Sequence, residues 1–97
     1  MAGAQYKLVF RVHAIRRMFD RGIAKEDVVS ALQGCDNIAA NPDDRPYPSR
    51  LVLGYSADKP LHLVVADNED DKERTVITVY EPDGDKWSDD LRTRLKR

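Results

Sequence analysis

Between Val12 and Ile23 the chain reads V-H-A-I-R-R-M-F-D-R-G-I, with apolar positions recurring at helical spacing. At about 100° per residue, Ala14, Ile15, Met18 and Phe19 share one arc and His13, Arg16, Arg17, Asp20 and Arg21 the other. The pattern predicts an amphipathic helix that stops near Gly22 and packs by its apolar arc. His13, Arg17 and Arg21, at i, i+4 and i+8, then form a column facing water or a ligand. As a plain solvated face the same column would only keep the chain soluble, with Asp20 pairing with Arg16. Lys25 to Gln33 predicts a second helix. Glu26 and Asp27 stand in its first turn, where the helix dipole favours negative charge, Val28, Val29 and Leu32 form its buried stripe, and Gly34 ends it.

The period then changes from helical to alternating. A short strand at Asn37–Ala40 precedes N-P-D-D-R-P-Y-P-S, a loop because its three prolines remove backbone donors. Arg50–Ser56, Leu61–Ala66 and Thr75–Tyr80 are rich in β-branched, leucine and tyrosine residues and are separated by turn-forming stretches, which predicts an antiparallel meander. With Tyr55 paired to Leu61 and Ala66 to Arg74, alternation turns Leu51, Leu53, Tyr55, Leu61, Leu63, Val65, Ile77 and Val79 toward the helices. Arg50, Val52, Gly54, His62, Val64, Val76, Thr78 and Tyr80 fall on the other, solvent-facing side. After E-P-D-G-D, Trp87, Leu91 and Leu95 recur at i, i+4 and i+8, predicting a C-terminal amphipathic helix anchored by Trp87.

Ninety-seven residues make one small domain, too few for a deep enclosed pocket, so any site is expected at the surface. No apolar run approaches the ~20 residues of a membrane span, and Met1–Gln5 lacks the order of a secretory signal, so the chain reads as cytoplasmic. Cys35 is the single cysteine and His13 and His62 the only histidines, which excludes an internal disulfide and argues against a Cys/His zinc site. No acidic loop has calcium or magnesium spacing, and no metal or cofactor is expected. A net charge of −1 opposes a strongly basic nucleic-acid binder. The average conceals a segregation: residues 1–34 hold six Lys/Arg against three Asp/Glu, and the tail Arg92, Arg94, Lys96, Arg97 is wholly basic apart from Thr93 and Leu95.

The side chains on the predicted open sheet face suit a phosphodiester. Histidine titrates near neutrality and can move the proton of a 2′-hydroxyl or a leaving oxygen. Arginine holds phosphate through two parallel hydrogen bonds, and tyrosine adds a stacking surface and a donor. His62, Tyr80, His13 and Arg50 are the catalytic candidates; Arg17, Arg21, Thr78, Arg92 and Arg94 are the RNA-binding candidates. Each also has a plain structural role open to it: His62 as a half-buried strand residue, Thr78 and Tyr80 as strand formers, Arg50 as the end of the proline-rich loop. A small nucleotide-ligand site would lack the usual glycine-rich loop.

The motifs H-A-x-x-R-M (His13, Ala14, Arg17, Met18), R-G-I (Arg21–Ile23), E-D-V (Glu26–Val28), L-H-L-V-V, V-I-T-V-Y-E-P-D (Val76–Asp83) and K-W (Lys86, Trp87) resemble a small family of uncharacterised bacterial domains grouped with the RelE/ParE-like plasmid toxins. The likeness runs from about Val12 to Trp87. It implies a RelE-like α+β domain over residues 1–97, with two N-terminal helices on one face of an antiparallel sheet of three to four strands and a C-terminal helix. It further implies the toxin of a type II toxin–antitoxin pair, a metal-independent mRNA endoribonuclease acting through basic and tyrosine residues on the sheet face. The implied partners are a cognate antitoxin protein and RNA, with or without a ribosome, and no membrane. Two departures stand out: the chain is slightly acidic where such nucleases are basic, and Ala24 occupies a position where relatives tend to have a serine helix cap. The alternative is a non-catalytic protein-binding module with a toxin-like fold.

Overall fold

A computed structural model describes residues 6–45 and 47–95. The Met1–Gln5 stretch, Pro46 of the proline-rich loop, and Lys96 and Arg97 of the basic tail lie outside the described residues. The chain runs β1 (Lys7–Phe10), α1 (Val12–Arg21), α2 (Lys25–Leu32), β2 (Asp36–Asn41), β3 (Ser49–Ser56), β4 (Lys59–Asn68) and β5 (Glu73–Tyr80). The strands form one sheet in the order β1-β5-β4-β3-β2. It is mixed, not the expected all-antiparallel meander, because β1 runs parallel to β5 with Phe10 beside Val76. A four-residue strand carries almost no sequence signal of its own; the free edge of β5 supplies its partners, beginning with the Lys7 N–H donated to the Lys72 carbonyl at 2.8 Å.

Both helices cover one face of the sheet. Ala14 and Met18 of α1 and Val28 and Ala31 of α2 meet Val52, Leu61, Leu63, Val65, Val76 and Val79 in one core. The expectation for β4 holds, with Leu61, Leu63 and Val65 inward and His62 outward. For β3 it is reversed. The turn after Ser56 spans only Ala57 and Asp58, with Ala57 in the left-handed region at φ 54°, so Ser56 pairs with Lys59, Gly54 with Leu61 and Leu53 with His62. This slip of one residue turns the strand over. Val52 and Gly54 face the helices, and Arg50 with them, while Leu51, Leu53 and Tyr55 share the side of His62. Gly54 is where α2 touches the sheet: a Cβ there would lie 1.9 Å from the Ala31 carbonyl oxygen. In β5 a bulge between the pairs Val64/Thr78 and Val65/Val76 absorbs Ile77, so Val76 and Val79 both turn inward while Thr78 and Tyr80 stay outward.

Two further expectations are corrected. Of the apolar arc of α1 only Ala14 and Met18 are buried; Ile15 and Phe19 remain exposed, Phe19 by 87%, as does the neighbouring Val12. The C-terminal helix does not form. Pro82 and an Asp83 turn, whose carbonyl accepts the Lys86 and Trp87 N–H groups, lead into a strap in which Ser88 N–H bonds the Thr93 carbonyl and Leu95 N–H the Lys86 carbonyl, both at 2.8 Å. Asp90 accepts from Ser88 Oγ and from the Arg92 N–H, an Asx-type turn that competes with a helix. Trp87 and Leu91 therefore converge on the sheet from a turn, not from one helix face. The result is a sheet-dominated domain with no C-terminal helix among the described residues, not the RelE-like arrangement expected.

At the start of α2, Ala24 has no capping side chain, although the Asp27 carboxylate accepts the Ala24 N–H at 2.9 Å and Ser56 Oγ at 2.7 Å. Ala24→Ser should add the missing cap and stabilise the domain by about 1 kcal/mol. Urea denaturation with an unchanged slope is the measurement; a stability equal to or below the parent would mean that the serine cannot reach the free N–H groups of the first turn.

Candidate functional site

The site grows from the last residues of β5. Alternation sends Val79 into the core and Tyr80 to the opposite face, directly across from His62 on β4. The strap folds back over this pair. The Trp87 ring stands edge-on to the His62 ring with centroids 4.4 Å apart, and the Tyr80 ring meets it at 5.3 Å. His62 is consequently fully buried rather than solvent-facing. Both its nitrogens are satisfied: Nε2 lies 2.8 Å from the Leu91 carbonyl and Nδ1 lies 3.2 Å from the Tyr80 hydroxyl. A carbonyl can only accept, so neutral His62 carries its proton on Nε2 and accepts the Tyr80 O–H at Nδ1. Leu91 takes the left-handed conformation, at φ 64°, within the turn that presents this carbonyl.

Burial lowers the His62 pKa below the ordinary histidine value, and the bond to Leu91 partly offsets this. Burial raises the Tyr80 pKa while the Arg94 charge pulls it back. Both groups are thus held neutral at pH 7, in a chain from phenol to imidazole to backbone carbonyl.

Tyr80 also lines a groove of about 560 Å³ with Glu81, Arg17 and Arg21 of α1, and Asp83, Lys86, Trp87 and Arg94 of the strap. Four cations meet two carboxylates there, and Glu81 is already engaged by Lys59 at 3.5 Å. Among the described residues no carboxylate pairs with Arg17, Arg21 or Lys86. Arg94 lies over the Trp87 ring, 5.8 Å from its centroid.

Four of the sequence candidates, Arg17, Arg21, Tyr80 and Arg94, are therefore brought together, with His62 behind Tyr80. The others are elsewhere. His13 is exposed one turn before Arg17 and does not line the groove. Thr78 lies on the Tyr80 face two residues earlier, across from Val64. Arg50 is on the helix-facing side, bonded to Asn37 and to Asp67 at 3.3 Å, and Asp67 also accepts from Arg74 at 2.8 Å. Arg92 pairs with Asp36 on β2. Lys86 and the Leu91 carbonyl were not legible as site groups, because a strap that turns back places them.

Residues 10–81 match the family described as Domain of unknown function (DUF4258), and the chain belongs to that family. This bears out the uncharacterised-domain part of the resemblance; nothing in the match links it to the RelE/ParE-like toxins. Comparison with curated proteins and with solved structures found no match. No helix among the described residues is long and apolar enough to cross a membrane. Among those residues, no group of three or more His, Cys, Asp or Glu side chains converges to hold a metal.

Proposed function

We propose that this domain binds single-stranded RNA in the groove and cleaves it without a metal. The carrying observation is that Arg17, Arg21, Lys86 and Arg94 line one open groove together with Tyr80. The arginines hold the non-bridging oxygens of a phosphodiester and stabilise the charge that develops on them. The 2′-hydroxyl gives its proton to the Tyr80 oxygen as the phenolic proton passes to Nδ1 of His62. The 2′-oxygen bonds to phosphorus, the bond to the 5′-oxygen breaks, and the proton returns through Tyr80 to that leaving oxygen. The products are a 2′,3′-cyclic phosphate and a 5′-hydroxyl. Tyr80 is the group that touches substrate, and His62 acts through it as proton acceptor, steadied by Leu91.

The test is incubation of the protein with a single-stranded oligoribonucleotide in EDTA, with end-group analysis. Cyclic phosphate ends are expected; an oligonucleotide that is bound but left intact would reject the cleavage step.

The second reading, a protein-binding module, is favoured by the exposed stripe of Val12, Ile15 and Phe19 on α1. The same stripe would suit an antitoxin if the nuclease activity is that of a toxin.

A further inference from the structure

At the other end of the sheet face that carries Tyr80, Asp44, Arg45 and Tyr47 of the connection between β2 and β3 border a second, open cavity of about 320 Å³. Its floor is Val9, Ala66, Thr75 and Ile77, and its rim is Arg11, Asp44, Arg45 and Tyr47. The rim is pinned: the Tyr47 hydroxyl accepts from Asn68 Nδ2 at 3.0 Å, Asn68 Oδ1 holds the N–H groups of Asp70 and Asp71, and Asp44 is bonded to Ser49. Among the described residues neither Arg11 nor Arg45 has a carboxylate partner. The cavity thus combines two available guanidinium groups, a half-exposed phenol ring, a threonine hydroxyl and an apolar floor, at the lower end of the ~300–1,000 Å³ typical of small-ligand sites.

We propose that this cavity is a second binding site that takes one nucleotide, with Arg11 and Arg45 on its phosphate and Tyr47 against its base. Guanidinium forks fit phosphate oxygens, an aromatic face accepts any base, and the single carboxylate of the rim, Asp44, is engaged by Ser49. Where the nucleotide belongs to an RNA strand, the inference rests on the groove reading above. Thr75, Thr78 and Tyr80 share one face of β5, so the cavity and the groove are separated by roughly 17 Å at ~3.3 Å per residue. One strand can then occupy both, its path fixed by the sheet. A free nucleotide offers the same phosphate and base, and the two sources are distinguished by experiment.

The test uses the full chain, an Arg11→Gln/Arg45→Gln double variant, uridine 5′-monophosphate, and single-stranded RNA of about four and about twelve nucleotides. Both substitutions are at exposed positions, and a native amide spectrum establishes that the variant is folded. The longer strand should bind the variant about tenfold more weakly than the parent, with a salt slope smaller by about 1.4, while the short strand, satisfied by the groove, binds both alike. In the parent, the mononucleotide and the longer strand should each shift the amides of Ala66, Thr75 and Ile77. Shifts there with the mononucleotide, but no binding of either strand, would assign the cavity to a free nucleotide and reject the groove reading alone. Equal binding of the longer strand by parent and variant, with mononucleotide shifts in the parent, would likewise assign the cavity to a free nucleotide; unmoved amides with every probe, or mononucleotide shifts undiminished in the variant, would overturn the proposal.

Discussion

Gly54→Ala should lower the stability of the domain by about 3 kcal/mol and its Tm by roughly 12–24 °C. A methyl group at this position would lie 1.9 Å from the Ala31 carbonyl oxygen, 2.6 Å from the carbonyl carbon and 3.0 Å from the Ala31 Cα. All three are backbone atoms, so no rotamer change relieves the overlap. The helix would have to lift from the sheet, and Val28 and Ala31, both fully buried, would lose their contacts. Thermal unfolding followed by circular dichroism makes the comparison. Gly84→Ala is the control, since a Cβ there meets nothing within 4 Å and the change should stay within about 0.5 kcal/mol of the parent. A Gly54→Ala protein melting with the parent would mean that α2 does not sit against β3 at this position.

Tyr80→Phe should reduce RNA cleavage by about 10²- to 10⁴-fold with RNA affinity nearly unchanged. The ring stays and continues to fill the space beside His62; what leaves is the hydroxyl that bonds His62 Nδ1 and that the proposed relay presents to substrate. The vacated Nδ1 becomes a buried acceptor without a donor, at a cost of about 1–3 kcal/mol in stability. Cleavage is therefore measured well below the melting range. Because the relay needs neutral His62, cleavage should persist below pH 6.5, the ordinary histidine value, and fall as pH drops through the depressed pKa of the folded protein. Stability follows the same sign. Above pH 6.5 histidine is neutral in both states; below it the unfolded chain takes up the proton first, so stability declines as pH falls toward the folded-state pKa. Cleavage by Tyr80→Phe at the parental rate would remove the phenol from the chemistry.

The parts of this fold that were legible in the sequence are those fixed by local period. α1 from Val12 to Arg21, α2 from Lys25 and the strands beginning near Ser49, Lys59 and Glu73 follow directly from spacing and turn residues. What the sequence concealed depends on distant partners. β1 exists because β5 has an open edge. The facing of β3 turns on whether the loop after Ser56 holds two residues or more, and the alternating pattern L-V-L-G-Y permits either choice. Trp87, Leu91 and Leu95 have helical spacing, yet the Asp83 and Asp90 turns take the backbone donors a helix would use. The site divides in the same way. The arginine column of α1 and Tyr80 at the end of its strand were readable from periodicity. The burial of His62 was not, because it is the strap, folding back through a left-handed Leu91, that covers it. Arg50 and Arg92 carry the right chemistry in the wrong company, engaged by Asp67 and Asp36 respectively.

The central claim, that the groove holds an RNA backbone, is tested most directly by the salt dependence of single-stranded RNA binding in an Arg17→Gln/Arg21→Gln/Arg94→Gln variant. Arg17 and Arg21 are exposed on α1 and Arg94 is exposed on the strap, so neutral replacements leave the core untouched. Loss of three phosphate contacts should weaken binding across all RNA sequences and reduce the slope of log K against log salt by about 2. A variant that binds as the parent does at low and moderate salt, or a parent that binds no RNA at low salt, would contradict it.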